Sequence, residues 1–142
     1  MNKVTLIGRI CKEPELRYIA GSGTAVCKFT LAVNKNLSKA KKKEFEDNGK
    51  KTASFIRCVA WSKTAEIVAE HTDKGTLIAV SGEIETDDYK DKDGKTVYTT
   101  EIRLDSYGGV EILEWKQKDD TGMKAKEFED DFAEVEIDKI PF

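Results

Sequence analysis

The chain has 142 residues, of which 39% are hydrophobic and 36% charged, with 24 Lys+Arg against 27 Asp+Glu for a formal net charge of −3. That length holds one core of ordinary size rather than two, no stretch approaches the roughly 20 apolar residues of a membrane helix, and the start MNKVTLIGRI lacks the apolar run of a secretory signal. The three cysteines, Cys11, Cys27 and Cys58, are odd in number and form no C-x-x-C pair, which argues against a disulfide framework or zinc site and for a reduced, cytoplasmic setting.

Along the chain, Val4, Leu6, Gly8 and Ile10 alternate as one face of a first strand over 3–10. The following EPELRYIAGSG reads as a loop punctuated by Pro14, Gly21 and Gly23. A second strand over 24–34 sets Cys27, Phe29, Leu31 and Val33 on a core face and Val26, Lys28, Thr30 and Ala32 on a mixed one. Residues 35–51 carry seven Lys against three acidic residues and an Asn48-Gly49 turn signal, and read as a long basic hairpin loop.

The third strand, 53–61, has two contrasting faces. Ser54, Ile56, Cys58 and Ala60 suit an interior, whereas Phe55, Arg57, Val59 and Trp61 place aromatics around a cation. Residues 62–73 form a short helix, capped by Ser62 or Thr64, with Ala65, Val68 and Ala69 at helical spacing and Gly75 beyond its end.

Strand four spans 76–89, with Ile78, Val80, Gly82 and Ile84 on one face and Tyr89 on the other. Strand five spans 95–106, with Tyr98, Thr100, Ile102 and Leu104 inward. Three strands, a helix and two strands leave no room for parallel crossovers. They fit an all-β, five-stranded Greek-key barrel with one short helix between strands three and four, the OB-fold.

After Trp115 the periodicity fades, and 116–142 reads as a disordered acidic C-terminal tail. Charge divides with it: residues 1–118 hold 21 Lys+Arg and 18 Asp+Glu, whereas 119–142 hold 3 and 9. The negative net charge, which by itself argues against a polyanionic partner, therefore belongs to the tail.

Unpaired strands expose base faces and closely spaced phosphates, so a sequence-tolerant binder needs aromatic platforms interleaved with cations. Phe55, Arg57 and Trp61 supply that pattern, with Tyr89 and the lysines of 35–51 adding to it. The spacing alone is equally compatible with barrel-wall residues, and a lysine-rich loop is most often simply solvated.

Other chemistry fits poorly. Setting Gly94 at the sixth position of a calcium loop puts Tyr89 first and Thr100 twelfth, where carboxylates are required. Asp93-Gly94 reads better as a β-hairpin turn. His71, the single histidine, has no partner pattern for a metal or a catalytic base. No cofactor, metal or enzymatic set is expected. At the terminus, Asp138 leads into Ile140, Pro141 and Phe142, an apolar end with a free carboxylate suited to a basic-rimmed pocket on a partner.

The ordered series Asn2-Lys3-Val4, Gly8-Arg9, Pro14-Glu15-Leu16-Arg17-Tyr18, Phe29–Asn34, Phe55–Trp61, Ala65-Glu66, Lys74-Gly75, Gly82 and Tyr98–Glu101 resembles the bacterial-type single-stranded DNA-binding protein family over roughly 2–114 and again at the end. The resemblance implies an OB-fold that assembles as a homotetramer. It also implies stacking roles for Phe55, Trp61 and Tyr89 and phosphate or groove roles for Lys3, Arg17, Arg57, Lys63 and Lys74. It further implies a cytoplasmic, nucleoid-associated protein whose acidic terminus recruits replication, recombination and repair proteins.

The sequence departs from that pattern at Leu37, where many members carry another aromatic, and at Glu85 and Asp87, where relatives often carry basic residues. The linker is short and Lys139 interrupts the terminal acids, features open to a phage or plasmid origin. The expected division is a single-strand-binding domain over 1–115, a linker over 116–126 and an interaction tail over 127–142. An OB-fold RNA binder is the alternative with the same fold, and a metal-dependent nuclease using the Asp87–Asp93 carboxylates is the alternative in a different class.

Overall fold

Period-two alternation of small and aliphatic residues drives most of the chain into strands whose inner faces meet. A computed structural model describes residues 1–115. Its elements are β1 (Val4–Ile10), β2 (Glu15–Tyr18), β3 (Ala25–Asn34), α1 (Lys39–Asp47), β4 (Ala53–Trp61), α2 (Ser62–His71), β5 (Leu77–Lys90), β6 (Thr96–Leu104) and β7 (Val110–Ile112).

Strands pair in the order β1-β3-β4-β6-β5, and β5 pairs back with β1, so five strands close a ring. All contacts around it are antiparallel except β4 with β6. That circuit is the Greek-key OB barrel, with α2 between its third and fourth strands. β2 adds to the edge of β3 and β7 to that of β5.

Inside the ring lie Ile10, Cys27, Phe29, Leu31, Cys58, Ala60, Ile78, Val80, Ile102 and Leu104, closed at one end by Ala65 and Val68 of α2. Closure requires two backbone crossings without side chains. A Cβ at Gly8 would stand 2.3 Å from the Ala32 carbonyl oxygen, and one at Gly82 would stand 2.0 Å from that of Arg103.

The structure departs from the sequence expectation in four places. Glu15–Tyr18 is a strand rather than loop, because β3 offers it a free edge and Leu16 faces Cys27. The basic segment contains helix α1, started by Ser38, whose Oγ accepts from the Lys41 N–H at 3.2 Å, and burying none of its residues.

α2 begins without a side-chain cap. Ser62 lies at φ 55°, and the Thr64 hydroxyl donates instead to the Asp105 and Ser106 carbonyls, tying the helix to the turn after β6. Finally, Tyr98 and Thr100 share the face of Ile102 and Leu104 but are exposed, because the β5–β6 hairpin runs past the ring and none of the described residues covers its inner face.

Beyond β7, Arg9 fastens the chain. Its Nη1 and Nη2 donate to the Glu114 carboxylate at 2.9 and 3.3 Å, and Nη1 also donates to the Gly75 carbonyl. Trp115 meets the His71 ring edge-on at 5.2 Å, so His71 packs against the chain's exit from the barrel. The expected linker and acidic tail lie outside the described residues.

Candidate nucleic-acid interface

Because side chains of directly opposed strand residues share a face, the register assembles the candidate surface row by row. On the outer face of β3 and β4, Phe55 lies opposite Ala32, Arg57 opposite Thr30, Val59 opposite Lys28, and Trp61 opposite Val26. β2 extends two rows, with Arg17 opposite Val26 and Glu15 opposite Lys28. Phe55 and Trp61 are half-buried, set against small neighbours that hold each ring without covering it.

Cations surround these rings. Lys51 Nζ stands 5.1 Å from the Phe55 centroid, and Lys28 and Arg57 are exposed on the same face. In the connection between β3 and β4, α1 carries Lys39, Lys41, Lys42 and Lys43, and Lys35 and Lys50 approach the Phe45 ring at 5.8 and 5.5 Å. An aromatic ring with an adjacent ammonium accepts a base on its face and a phosphate at its edge.

The face changes sign beyond β4. Arg103 of β6 lies beside Val59, and one step further along β6 Glu101 lies in the Arg57 row. Across β6, Glu83 opposes Arg103, Glu85 opposes Glu101, and Asp87 opposes Thr99. Arg103 meets Glu85 at 3.8 Å. Tyr89, 56% exposed, is on this same face opposite Val97, but the carboxylates separate it from Phe55 and Trp61.

The remaining sequence-derived positions are dispersed. Lys63 is exposed in the first turn of α2, directly after Trp61. Lys3 lies before β1 with its Nζ 3.4 Å from Asp105. Lys74 is beyond the other end of β1, where its backbone N–H donates to Glu13. Leu37 is half-buried in the approach to α1. Asp138, Ile140, Pro141 and Phe142 lie outside the described residues.

Sequence reasoning did not single out Lys28, Arg103 or the Glu101 carboxylate, and it took Lys51 only as one of the lysines of 35–51. Alternation alone puts Lys28 on the outer face; Arg103 and Glu101 depend on which strand lies next to which.

The thiols take no part in this surface. Burial pushes Cys58 up to about 12 and Cys11 and Cys27 up to about 11, so all three stay protonated near neutrality. Among the described residues no group of His, Cys, Asp and Glu is arranged to hold a metal ion.

The model of the Single-strand binding protein family matches residues 1–110. The chain is 38% identical over 156 aligned positions to the single-stranded DNA-binding protein of Clostridium tetani, across the whole of both chains. Single-stranded DNA-binding protein 2 of Clostridium acetobutylicum is 40% identical, again across both whole chains. The Clostridium perfringens protein is 46% identical over 111 residues, covering 78% of this chain and 67% of that one.

Proposed function

The chain belongs to the single-strand binding protein family, and we propose that it is a non-enzymatic, sequence-tolerant binder of single-stranded DNA. The observation that carries this reading is the outer face of β3 and β4. There two half-buried aromatics on one strand, Phe55 and Trp61, flank Arg57 and lie among Lys28, Lys51 and Arg17. Bases stack on the rings and phosphates pair with the cations; every base has a face to stack and every nucleotide a phosphate, so binding of this kind tolerates sequence.

The coated strand is protected during replication, recombination and repair, and the 127–142 segment recruits partner proteins through Asp138, Ile140, Pro141 and Phe142. Residues 1–115 are the binding domain and 116–126 the linker, in a cytoplasmic, nucleoid-associated protein. Self-association as a homotetramer is supported by the outer face of β1, β5 and β7, where Ile7 and Leu113 are 56% and 42% exposed beside Leu77 and Ala79.

The test is fluorescence on adding oligothymidylate to a Trp115→Phe variant, in which Trp61 is the remaining indole. A stacked base quenches it; absence of quenching, with unchanged affinity in Trp61→Ala, refutes the platform. A matched RNA oligomer binding more tightly than DNA would instead favour the RNA-binding alternative, since that preference needs contacts to the 2′-hydroxyl.

A further inference from the structure

We propose that the β5–β6 hairpin is a docking arm for a second copy of this chain, and that its counterpart on that copy is the lysine-rich helix α1. Past Ile84, whose β6 partner still pairs with β4, every residue of β5 from Glu85 to Lys90 is exposed, so the hairpin projects beyond the barrel by about six residues, about 20 Å at strand rise. From Glu83 to Lys95 it carries six acidic residues against three lysines.

Glu83, Glu85 and Asp87 lie on the hairpin's outer face, whereas its inner face is apolar and hydroxylic with one carboxylate, Asp88. Ile84 and Tyr98 are 46% and 79% exposed, and Tyr98 stands directly opposite Asp88. A ring beside a carboxylate suits a lysine, whose stem lies on the ring while its ammonium meets the acid.

α1 offers that chemistry. The 35–51 segment carries seven lysines and three acids, and the helix buries none of its residues. Its charges also run against its dipole, with Lys39, Lys41, Lys42 and Lys43 in the N-terminal part and Glu44, Glu46 and Asp47 in the C-terminal part. The N-terminal half therefore concentrates positive potential that an anionic partner relieves. Among the described residues no ion pair joins α1 to the arm of its own chain. The two patches differ, so their contact is heterologous and can propagate from copy to copy.

The arm and a DNA strand both present anions to α1, so they compete. The protein contact is read without DNA, and only the competition rests on the single-strand reading.

Light scattering of the full-length chain, free of DNA, compares about 20 mM with about 300 mM salt, across which the Debye length falls several-fold. The mass is expected to rise at low salt above its high-salt value. Asp88→Lys with Asp93→Lys, or Lys42→Glu with Lys43→Glu, should each weaken that step at least about tenfold. Combining all four should restore it to within about threefold, which also shows that the variants fold. Equal mass at both salts overturns the proposal. So does loss of association in the lysine swap with none in the arm swap, which would make the acidic terminus the counterpart. Excess oligothymidylate should disperse the low-salt species; persistence with the strand bound refutes the shared use of α1. If the strand fails to bind at all, the single-strand reading fails while the charge-swap result stands.

Discussion

Removing either platform ring should cost binding with little loss of stability, because both rings lie outside the barrel. Phe55 and Trp61 face Ala32 and Val26 across β3, so truncating them opens no internal cavity. The fold should lose less than about 1.5 kcal/mol, against the 3–5 kcal/mol typical of fully buried aromatics. Loss of a stacked base costs about 1–3 kcal/mol, or roughly 5- to 150-fold in affinity. The rings are six residues apart on one strand, about 20 Å, so the two losses should add. Anisotropy of a labelled oligothymidylate measures affinity in Phe55→Ala, Trp61→Ala and the double variant, and thermal unfolding measures stability. Val68→Ala, inside the core, supplies the opposite pattern: a stability loss with affinity retained. The reasoning is refuted if the single variants bind as the parent does, or if affinity falls only in step with unfolding.

Glu101→Gln should tighten single-strand binding roughly two- to fivefold at low salt, because it removes a negative charge from the Arg57 row; a gain that persists unchanged at high salt would contradict the electrostatic origin. Gly82→Ala should destabilise by about 1–3 kcal/mol or prevent folding, since the new Cβ meets backbone rather than a movable side chain; a midpoint equal to the parent's in chemical denaturation would show that the crossing relaxes. The three thiols should react slowly with a thiol reagent in the folded chain and fully after denaturation. Their folded pKa values are raised by burial, so above pH 9 the unfolded chain releases protons that the folded one retains, and stability should fall as pH rises from about 9 toward 11; a flat profile in that window would contradict the burial.

The barrel was legible wherever alternation was long enough to carry a period. β4 occupies 53–61 as its pattern predicts, and the faces of β3 and β5 follow theirs. β2 has four residues and one inward side chain, Leu16, too few to show a period; its existence depends on the free edge of β3. α1 has no apolar stripe, and only Ser38 marks its start. For Tyr98 the pattern gives the correct face but not the burial, which depends on how far the hairpin outruns the ring. Phe55, Arg57 and Trp61 were legible as a site because they share one strand. Lys28 and Glu101 join them only through register, a relation between positions distant in sequence that composition and spacing do not contain.

Net charge fails as a guide here for the same reason. Neighbouring strands are about 4.8 Å apart, and the Debye length at physiological salt is about 8 Å. A phosphate above Arg57 therefore senses Glu101 on the adjacent strand strongly and Glu85, one strand further, weakly, while charges elsewhere in the chain are screened. What decides binding is the order of rows across the sheet. The positive side runs over β2, β3 and β4, and the negative side begins at Glu101 and continues through Glu85 and Asp87. A strand lying on Phe55 and Trp61 is thus held on one side by cations and bounded on the other by carboxylates. Added salt weakens the first effect and relieves the second. The dependence of affinity on salt should consequently be shallower than the number of cations on the face implies, and it should steepen when Glu101 is neutralised.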